Sequence, residues 1–265
     1  KTVLENLDKN IYKGYIIYLN KKNFTLLIND ENININKEDF SCIYKKKKIK
    51  FQKVFIALHG PPAENGEIQN YFENLKIKHT ACTAETSALT FNKYQCNNKL
   101  KKLGFICAQS LIHKQENPVK LNDIMDNIGI PCFIKPNESG SSYGITKVTE
   151  SKNISAAINI ALKHSNEVII EEYIKGKELS CGVFFDGKII QTLPITEIQS
   201  ENDFFDYEAK YEGKSQEITP AEIDEELATD IKDISTNVYK KMNLRGICRI
   251  DFIVMNKQAY IIEIN

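Results

Sequence analysis

The closing stretch CRIDFIVMNKQAYIIEIN carries a guanidinium at Arg249, carboxylates at Asp251 and Glu263, and an amide at Asn265. Both halves are apolar runs suited to strands, and strand residues alternate faces. Arg249 and Asp251 therefore share one face, as do Glu263 and Asn265. A three-residue turn over Asn256-Lys257-Gln258 would pair Met255 with Ala259. Asp251 then lies opposite Glu263, and Arg249 opposite Asn265. Like charges directly opposed destabilise a sheet. Two carboxylates and an amide oxygen at one spot make sense if a hard cation sits among them. Magnesium takes oxygen ligands and completes its shell with water and nucleotide phosphates. The other reading is that one or both acids point to solvent at a strand edge.

A second chemical feature lies upstream. The loop ESGSSYG, between two strand-like runs, offers successive backbone N–H groups and serine hydroxyls, which suits an anion. Lys135 sits just before it in the apolar run PCFIKP and is costly to bury without an anionic partner. An ordinary glycine-rich turn beside an edge lysine explains the same residues. The chain has no G-x-x-x-x-G-K-[ST] and no G-x-G-x-x-G after its first strand. The run VIIEEYIKGKE adds Glu171, Glu172 and Glu178 at a strand end, where backbone and carboxylate can meet an adenine and a ribose. Surface glutamates are common enough that this run alone says little.

These residues need a scaffold. The runs GYIIYLN and FTLLIN read as a hairpin, and KVFIALHG as a buried parallel strand closed by a glycine. ENGEIQNYFENLKI places Ile68, Tyr71, Phe72 and Leu75 at helical spacing. The basic run YKKKKIKFQK reads as a solvated turn between strands. SALTFNKYQCNNKLKKLG reads as one helix with Gly104 as its C-terminal cap. A further helix over SKNISAAINIALKHSN puts Ile154, Ile158, Ala161 and Leu162 on one face. Asp186-Gly187 signals a type I′ hairpin. Thr219-Pro220-Ala221-Glu222 reads as a capping box opening a helix with Ile223, Leu227, Ile231, Ile234, Val238 and Met242 along one stripe.

Totals narrow the class. The chain has 265 residues, 35 basic against 35 acidic side chains, and 42% hydrophobic content. A neutral balance gives no reason to expect nucleic acid or a membrane surface as partner. No apolar run approaches the roughly 20 residues that span a bilayer. Seven scattered cysteines without a C-x-x-C pair read as free thiols in a reducing cytoplasm. The start at Lys1 rather than Met points to residues upstream.

Taken together and in order, HGPPAENGEIQ, SALTFNK, FIKPNESGSSYG, IIEEYIKGKE, FFDYEAKY and RIDFIV…YIIEIN resemble the D-alanine:D-alanine ligase family of ATP-grasp enzymes. The resemblance runs from HGPPAENG to Asn265. It implies a mixed α/β (α+β) fold of three units: an N-terminal parallel α/β domain (1–86), a central ATP-grasp subdomain (87–173) and a C-terminal one (174–265). ATP would lie between two antiparallel sheets. It implies phosphorylation of one D-alanine carboxylate, attack by the amine of a second, and loss of phosphate, for peptidoglycan precursors in the cytoplasm. Ligation to another acceptor, such as D-serine or D-lactate, and a silent nucleotide-binding relative are the alternatives.

Carried over by motif, Lys93, Lys135, Ser141, Ser142 and Lys210 would contact ATP phosphates. Glu171, Tyr173, Ile174 and Ile262 would line the adenine site, and Glu178 would hold the ribose. Asp251, Glu263 and Asn265 would bind two magnesium ions, with manganese as a substitute. Arg249 would stabilise the intermediate's negative charge. His59 and Glu64 would lie at the substrate end, and Ser141 and Tyr211 would help close the loop over the reactants. A homodimer is implied, without nucleic-acid or membrane partners. The family's N-terminal glycine-rich loop and the segment after E-x-N have no counterpart here and are expected outside residues 1–265. GEDG reads AENG, and NESGSS leaves the family's acidic loop position to Glu138 or Ser139.

Overall fold

The computed structural model describes residues 2–21, 23–200 and 215–265. The chain divides into two units: residues 1–55 with 71–79, and residues 56–70 with 80–265.

The first unit begins with α1 (Thr2–Glu5) and a three-stranded antiparallel sheet of β1 (Ile16–Asn20), β2 (Asn23–Ile28) and β3 (Glu31–Asn34). The expected hairpin is present and closes at Asn20 opposite Asn23. The lysine run is a second hairpin, β4 (Ser41–Tyr44) with β5 (Lys47–Lys50), turning through Lys45 and Lys46, both at positive φ. Its lysines face water, as expected of a solvated turn. Phe24, Phe40 and Phe72 pack as an aromatic core, with Phe40 and Phe72 ring centroids 4.9 Å apart. Such edge-to-face pairs add to area burial through ring quadrupoles.

KVFIALHG departs from expectation. Only Lys53–Val54 (β6) pair, in parallel, with β7 (Lys78–His79), while Phe55 and Leu58 are exposed. Burial needs a neighbour on each side, and among the described residues this run has one. α2 (Glu67–Asn74) follows the loop after it, with Ile68 and Phe72 buried.

The second unit holds the larger cores. α3 (Ala84–Phe91) and α4 (Lys93–Lys102) replace the single helix expected there. Asn92 ends the first and caps the second: its Oδ1 accepts from the Gln95 N–H at 3.0 Å, and its Nδ2 donates to Glu138 at 2.6 Å. An asparagine able to satisfy both helix ends explains the break, since N-terminal N–H groups need outside acceptors. Gly104 does end α4, at φ +89, with Phe105 N–H donating back to the Leu100 carbonyl.

Two antiparallel sheets follow. The first has the order β10 (Thr146–Val148), β9 (Cys132–Pro136), β11 (Glu167–Glu172), β8 (Ser110–Lys114). α5 (Leu121–Asn127) and α6 (Ile154–Ala161) pack on it through Ile124, Ile154, Ala157, Ile158 and Ala161. The second has the order β15 (Ser215–Ile218), β14 (Thr196–Ser200), β12 (Lys177–Phe185), β16 (Ile247–Met255), β17 (Gln258–Ile264), with β13 (Ile190–Thr192) also on β12. α7 (Glu225–Lys241) covers it, burying Ile231 and Val238, with Met242 buried just beyond its end. The mixed α/β (α+β) class and the paired antiparallel sheets agree with expectation.

Two turn expectations are corrected. The helix after Pro220 starts at Glu225, not at the proline. Thr219 Oγ1 is engaged with Thr196 Oγ1 at 2.7 Å, and Ala221 N–H donates to the Ile195 carbonyl, so this segment belongs to the sheet edge. Asp224 is the cap, accepting from Leu227 N–H at 2.8 Å. The Asp186-Gly187 hairpin is not a two-residue turn. Phe185 pairs with Ile190, and Asp186 Oδ1 accepts from the N–H groups of Lys188 and Ile189, which fixes a longer loop.

Candidate active site

The terminal hairpin sets the heart of the site. Its turn is Asn256-Lys257, both at positive φ, with Met255 opposite Gln258. That is shorter than the three-residue turn expected, because Asn256 tolerates the left-handed region that a type I′ turn demands. A bulge between Asp251 and Phe252 then takes up Ile262 and restores Asp251 opposite Glu263. Arg249 and Asn265 exchange backbone hydrogen bonds at 2.8 Å each. The four polar groups therefore converge as their alternation requires.

Their charges are matched within the chain. The Arg249 guanidinium forks onto Asp251, Nε to Oδ1 at 2.8 Å and Nη2 to Oδ2 at 2.9 Å. Asn265 Nδ2 donates to the same Oδ2 at 2.8 Å. The Asp251 hydrogen bond raises the already high Arg249 pKa, against burial that lowers it, so this cation stays charged. Glu263 faces the Lys93 ammonium at 3.2 Å. Two carboxylates and an amide beside the Arg249 and Lys93 cations offer oxygen donors of the kind magnesium takes. Among the described residues no cluster of three His, Cys, Asp or Glu side chains stands ready as a metal cage. A cation here would therefore share its shell with other oxygens, as nucleotide-bound magnesium does.

Lys93 opens α4, where the Asn92 break places it. Its Nζ also donates to the Ser139 carbonyl at 2.6 Å, tying it to the glycine–serine loop between β9 and β10. Lys135, on β9, pairs with buried Glu171 on β11 at 2.6 Å, and Asn97 on α4 donates to the other Glu171 oxygen at 2.7 Å. This answers the cost of burying Lys135: its partner is a glutamate. Ser141 and Ser142 both hold positive φ, 55 and 57. The left-handed region costs non-glycine residues about 1–2 kcal/mol each, so this loop holds strain.

Two cavities meet at this point. One, about 280 Å³, lies between the two sheets. Lys93, Lys135 and Ser142 are on one side; Glu178, Arg249, Asp251, Ile262 and Glu263 are on the other. The other cavity, about 350 Å³, is lined by His59, Glu64, Ser141, Arg249, Glu263 and Asn265. Arg249 and Glu263 belong to both walls. In the second cavity Glu64 Oε1 lies 3.4 Å from His59 Nδ1, and His59 Nε2 lies 3.3 Å from Ser141 Oγ. A proton on Nδ1, toward the carboxylate, would leave Nε2 to accept from the serine hydroxyl.

Of the residues singled out from sequence, Glu171, Tyr173 and Ile174 do not face these cavities. Glu171 and Ile174 are buried, and Tyr173 packs edge-on against Phe133. Lys210 and Tyr211 lie outside the described residues. Glu217 was missed: it sits on β15 and lines both cavities beside Arg249. The run SQEITPA carried no signal for it, because only strand pairing to β14 brings it across. Asn97 was missed too, since an asparagine inside a polar helix looks like surface.

Two antiparallel sheets with a cleft between them, lysines on one wall and facing acids on the other, define the ATP-grasp class of architecture. The family model described as D-ala D-ala ligase C-terminus matches residues 100–265. A D-alanine–D-alanine ligase from Flavobacterium johnsoniae is 42% identical over 99% of this chain and 82% of its own length. The structure of the VanG D-Ala:D-Ser ligase from Enterococcus faecalis superposes with a TM-score of 0.87 at 28% identity, covering 99% of this chain and 83% of that one. That of a Bacillus anthracis D-alanine–D-alanine ligase complexed with ATP gives 0.70 at 25% identity, covering 81% and 67%. The chain belongs to the D-alanine–D-alanine ligase family.

Proposed function

We propose that the chain ligates two D-alanine molecules to D-alanyl-D-alanine at the expense of ATP, supplying peptidoglycan synthesis. One observation supports this above all: the cleft between the two sheets and a second polar cavity share Arg249 and Glu263 as a common wall. Phosphoryl transfer needs donor and acceptor to meet in line at such a wall.

In this reading residues 87–173 and 174–265 are the two jaws on the nucleotide. Lys93 and Lys135 hold ATP phosphates, Ser142 and Lys210 reach them, and Glu178 takes the ribose. Ile262, on the cleft wall, shapes the adenine end. The first D-alanine carboxylate takes the terminal phosphoryl group and becomes an acyl phosphate. The second D-alanine's amine attacks it, and phosphate leaves through a tetrahedral intermediate. Arg249, held by its fork to Asp251, presents fixed positive charge to the developing oxyanion, usually the largest single catalytic contribution. Glu64 and His59 orient Ser141 at the substrate end, and Tyr211 helps shut the loop against water. Asp251, Glu263 and Asn265 would hold magnesium, or manganese, which would neutralise phosphate charge. A cytoplasmic homodimer is part of the same reading and rests on the family resemblance.

The test is ADP release with D-alanine and with L-alanine, and mass spectrometry of the product. D-Alanine-dependent ADP release with a D-alanyl-D-alanine product is expected. Equal response to both enantiomers, or a mixed product when D-serine competes, would overturn the assignment.

A further inference from the structure

Seven thiols are present, and two of them lie where oxidation has consequences. Cys82 precedes α3 and Cys248 is the second residue of β16, yet their Sγ atoms are 3.9 Å apart. Both line the 350 Å³ cavity that holds His59, Glu64 and Ser141. Cys82 is half-buried and reachable from that cavity, while Cys248 lies behind it, buried.

The approach is built into the backbone. Gly246 adopts φ +70, and a Cβ placed there would lie 1.9 Å from the Thr80 carbonyl oxygen. Only glycine permits that contact. Tyr239 Oη donates to the Gly246 carbonyl at 2.9 Å and holds the turn from behind. Arg245 N–H donates to Cys82 Sγ at 3.2 Å, and the Cys248 thiol reaches the Arg245 carbonyl at 3.5 Å. Polar backbone groups thus surround two sulfurs that are already in van der Waals contact.

The two thiols also differ in character. The hydrogen bond from Cys248 draws the Cys82 thiol down to about 7, against burial, with Arg245 helping through its N–H and its charge. The same hydrogen bond, followed by burial, pushes Cys248 up. Burial pushes Cys96 and Cys107 up to about 12. An accessible, acidified thiol beside a second thiol is the arrangement of a redox-responsive cysteine and its resolving partner.

We propose that Cys82 and Cys248 form a peroxide-responsive dithiol on the wall of the substrate cavity, closing to a disulfide that lowers turnover and reopening under thiol reductants. Cys82 thiolate attacks one oxygen of hydrogen peroxide, the O–O bond breaks and hydroxide leaves, giving the sulfenic acid. Cys248 sulfur then bonds to Cys82 sulfur and displaces that oxygen, which leaves as hydroxide and takes the Cys248 proton to become water. Two thiols lose two electrons in all, and one peroxide becomes two waters. The sulfurs must close to the S–S length of about 2.05 Å. That movement draws the segment before α3 toward β16 at the residue next to Arg249.

Peptide mass spectrometry of the whole chain, without reduction, tests the chemistry after brief exposure to hydrogen peroxide. The expected product links the tryptic peptide of residues 79–93 to that of 246–249, with D-alanine-dependent ADP release falling in proportion and returning with dithiothreitol. Cys248→Val should instead accumulate a sulfenic acid at Cys82 that dimedone traps. Unlinked peptides, thiols oxidised without preference for Cys82, or a linked pair with undiminished turnover would each overturn the proposal.

Discussion

At the scale of single residues the site turns on matched charge. Asp251 is 12% exposed at its side chain and, among the described residues, receives two hydrogen bonds from Arg249 and one from Asn265. Arg249 is about half exposed, so solvent screens the pair and its contribution to stability is small, of order 1 kcal/mol. Its contribution to catalysis is predicted to be larger. Arg249→Lys keeps the charge but loses the planar fork, so Asp251 is held at one point rather than two. A fall of about 10²-fold in kcat is expected with little change in the urea midpoint, since removing one oxyanion donor costs about that much. Equal turnover in steady-state ADP release would remove Arg249 from the chemistry. Thiol reactivity offers a second residue-scale prediction. Iodoacetamide at pH 7 should label Cys82 well before Cys96 or Cys107, because Cys82 sits near 7 and the other two near 12. The preference should shrink as pH rises and the buried thiols begin to ionise. Uniform labelling, read by peptide mass spectrometry, would contradict it.

At the scale of elements the decisive device is the break at Asn92. One side chain caps α4 and donates to Glu138, and the result is that Lys93 begins a helix pointed at Glu263 and the Ser139 carbonyl. Asn92→Ala should cost about 1 kcal/mol through the lost cap, or about 2–4 °C in Tm for a chain of this size. It should also raise KM for ATP by loosening Lys93. Asn92→Ser restores the cap without the Glu138 bond and should recover most of the Tm. An Asn92→Ala protein with wild-type Tm would deny the cap its role. Nothing in SALTFNKYQCNNKLKKLG announced this break, because helical periodicity runs through it; the signal is tertiary, in Glu138. The terminal hairpin shows the opposite case. Strand alternation and a three-residue turn put Asp251 opposite Glu263, and that pairing holds although the turn is one residue shorter than expected, because a bulge absorbs Ile262. Polar groups demanded by one face survived an error in register. The parallel run KVFIALHG was legible as apolar, but not as a strand of two residues with one neighbour among the described residues, since a strand's burial depends on neighbours that its own residues do not name. Glu217 and Asn97 were invisible for the same reason: their places at the site come from pairing and packing, not from local pattern.

At the scale of the whole molecule the second unit carries two separate hydrophobic cores. One is built on β12, β16, β17 and α7, the other on β9, β11 and α6. A cleft lies between the sheets of these cores, and its walls carry Lys93 and Lys135 on one side and Asp251 and Glu263 on the other. Lys93 faces Glu263 directly at 3.2 Å. A triphosphate entering there gives the lysines a new anion, and a divalent cation gives the acids a new partner. Each ligand should therefore bind better in the other's presence, because each relieves the charge imbalance the other creates. Binding to the folded state alone stabilises by about 2.7 kcal/mol at a hundredfold excess over Kd, which corresponds to about 5–10 °C in Tm for a chain of this size. ATP with magnesium should raise the Tm of the wild-type protein by that order, and ATP with a chelator by less. In the double variant Asp251→Asn, Glu263→Gln the magnesium-dependent increment should vanish while the ATP-only shift remains, since Lys93 and Lys135 are untouched. Scanning calorimetry of both proteins under both conditions separates the terms. A double variant that keeps the full magnesium increment would place the cation elsewhere, and one that loses the ATP-only shift would show that the acids hold the lysines in place rather than a metal.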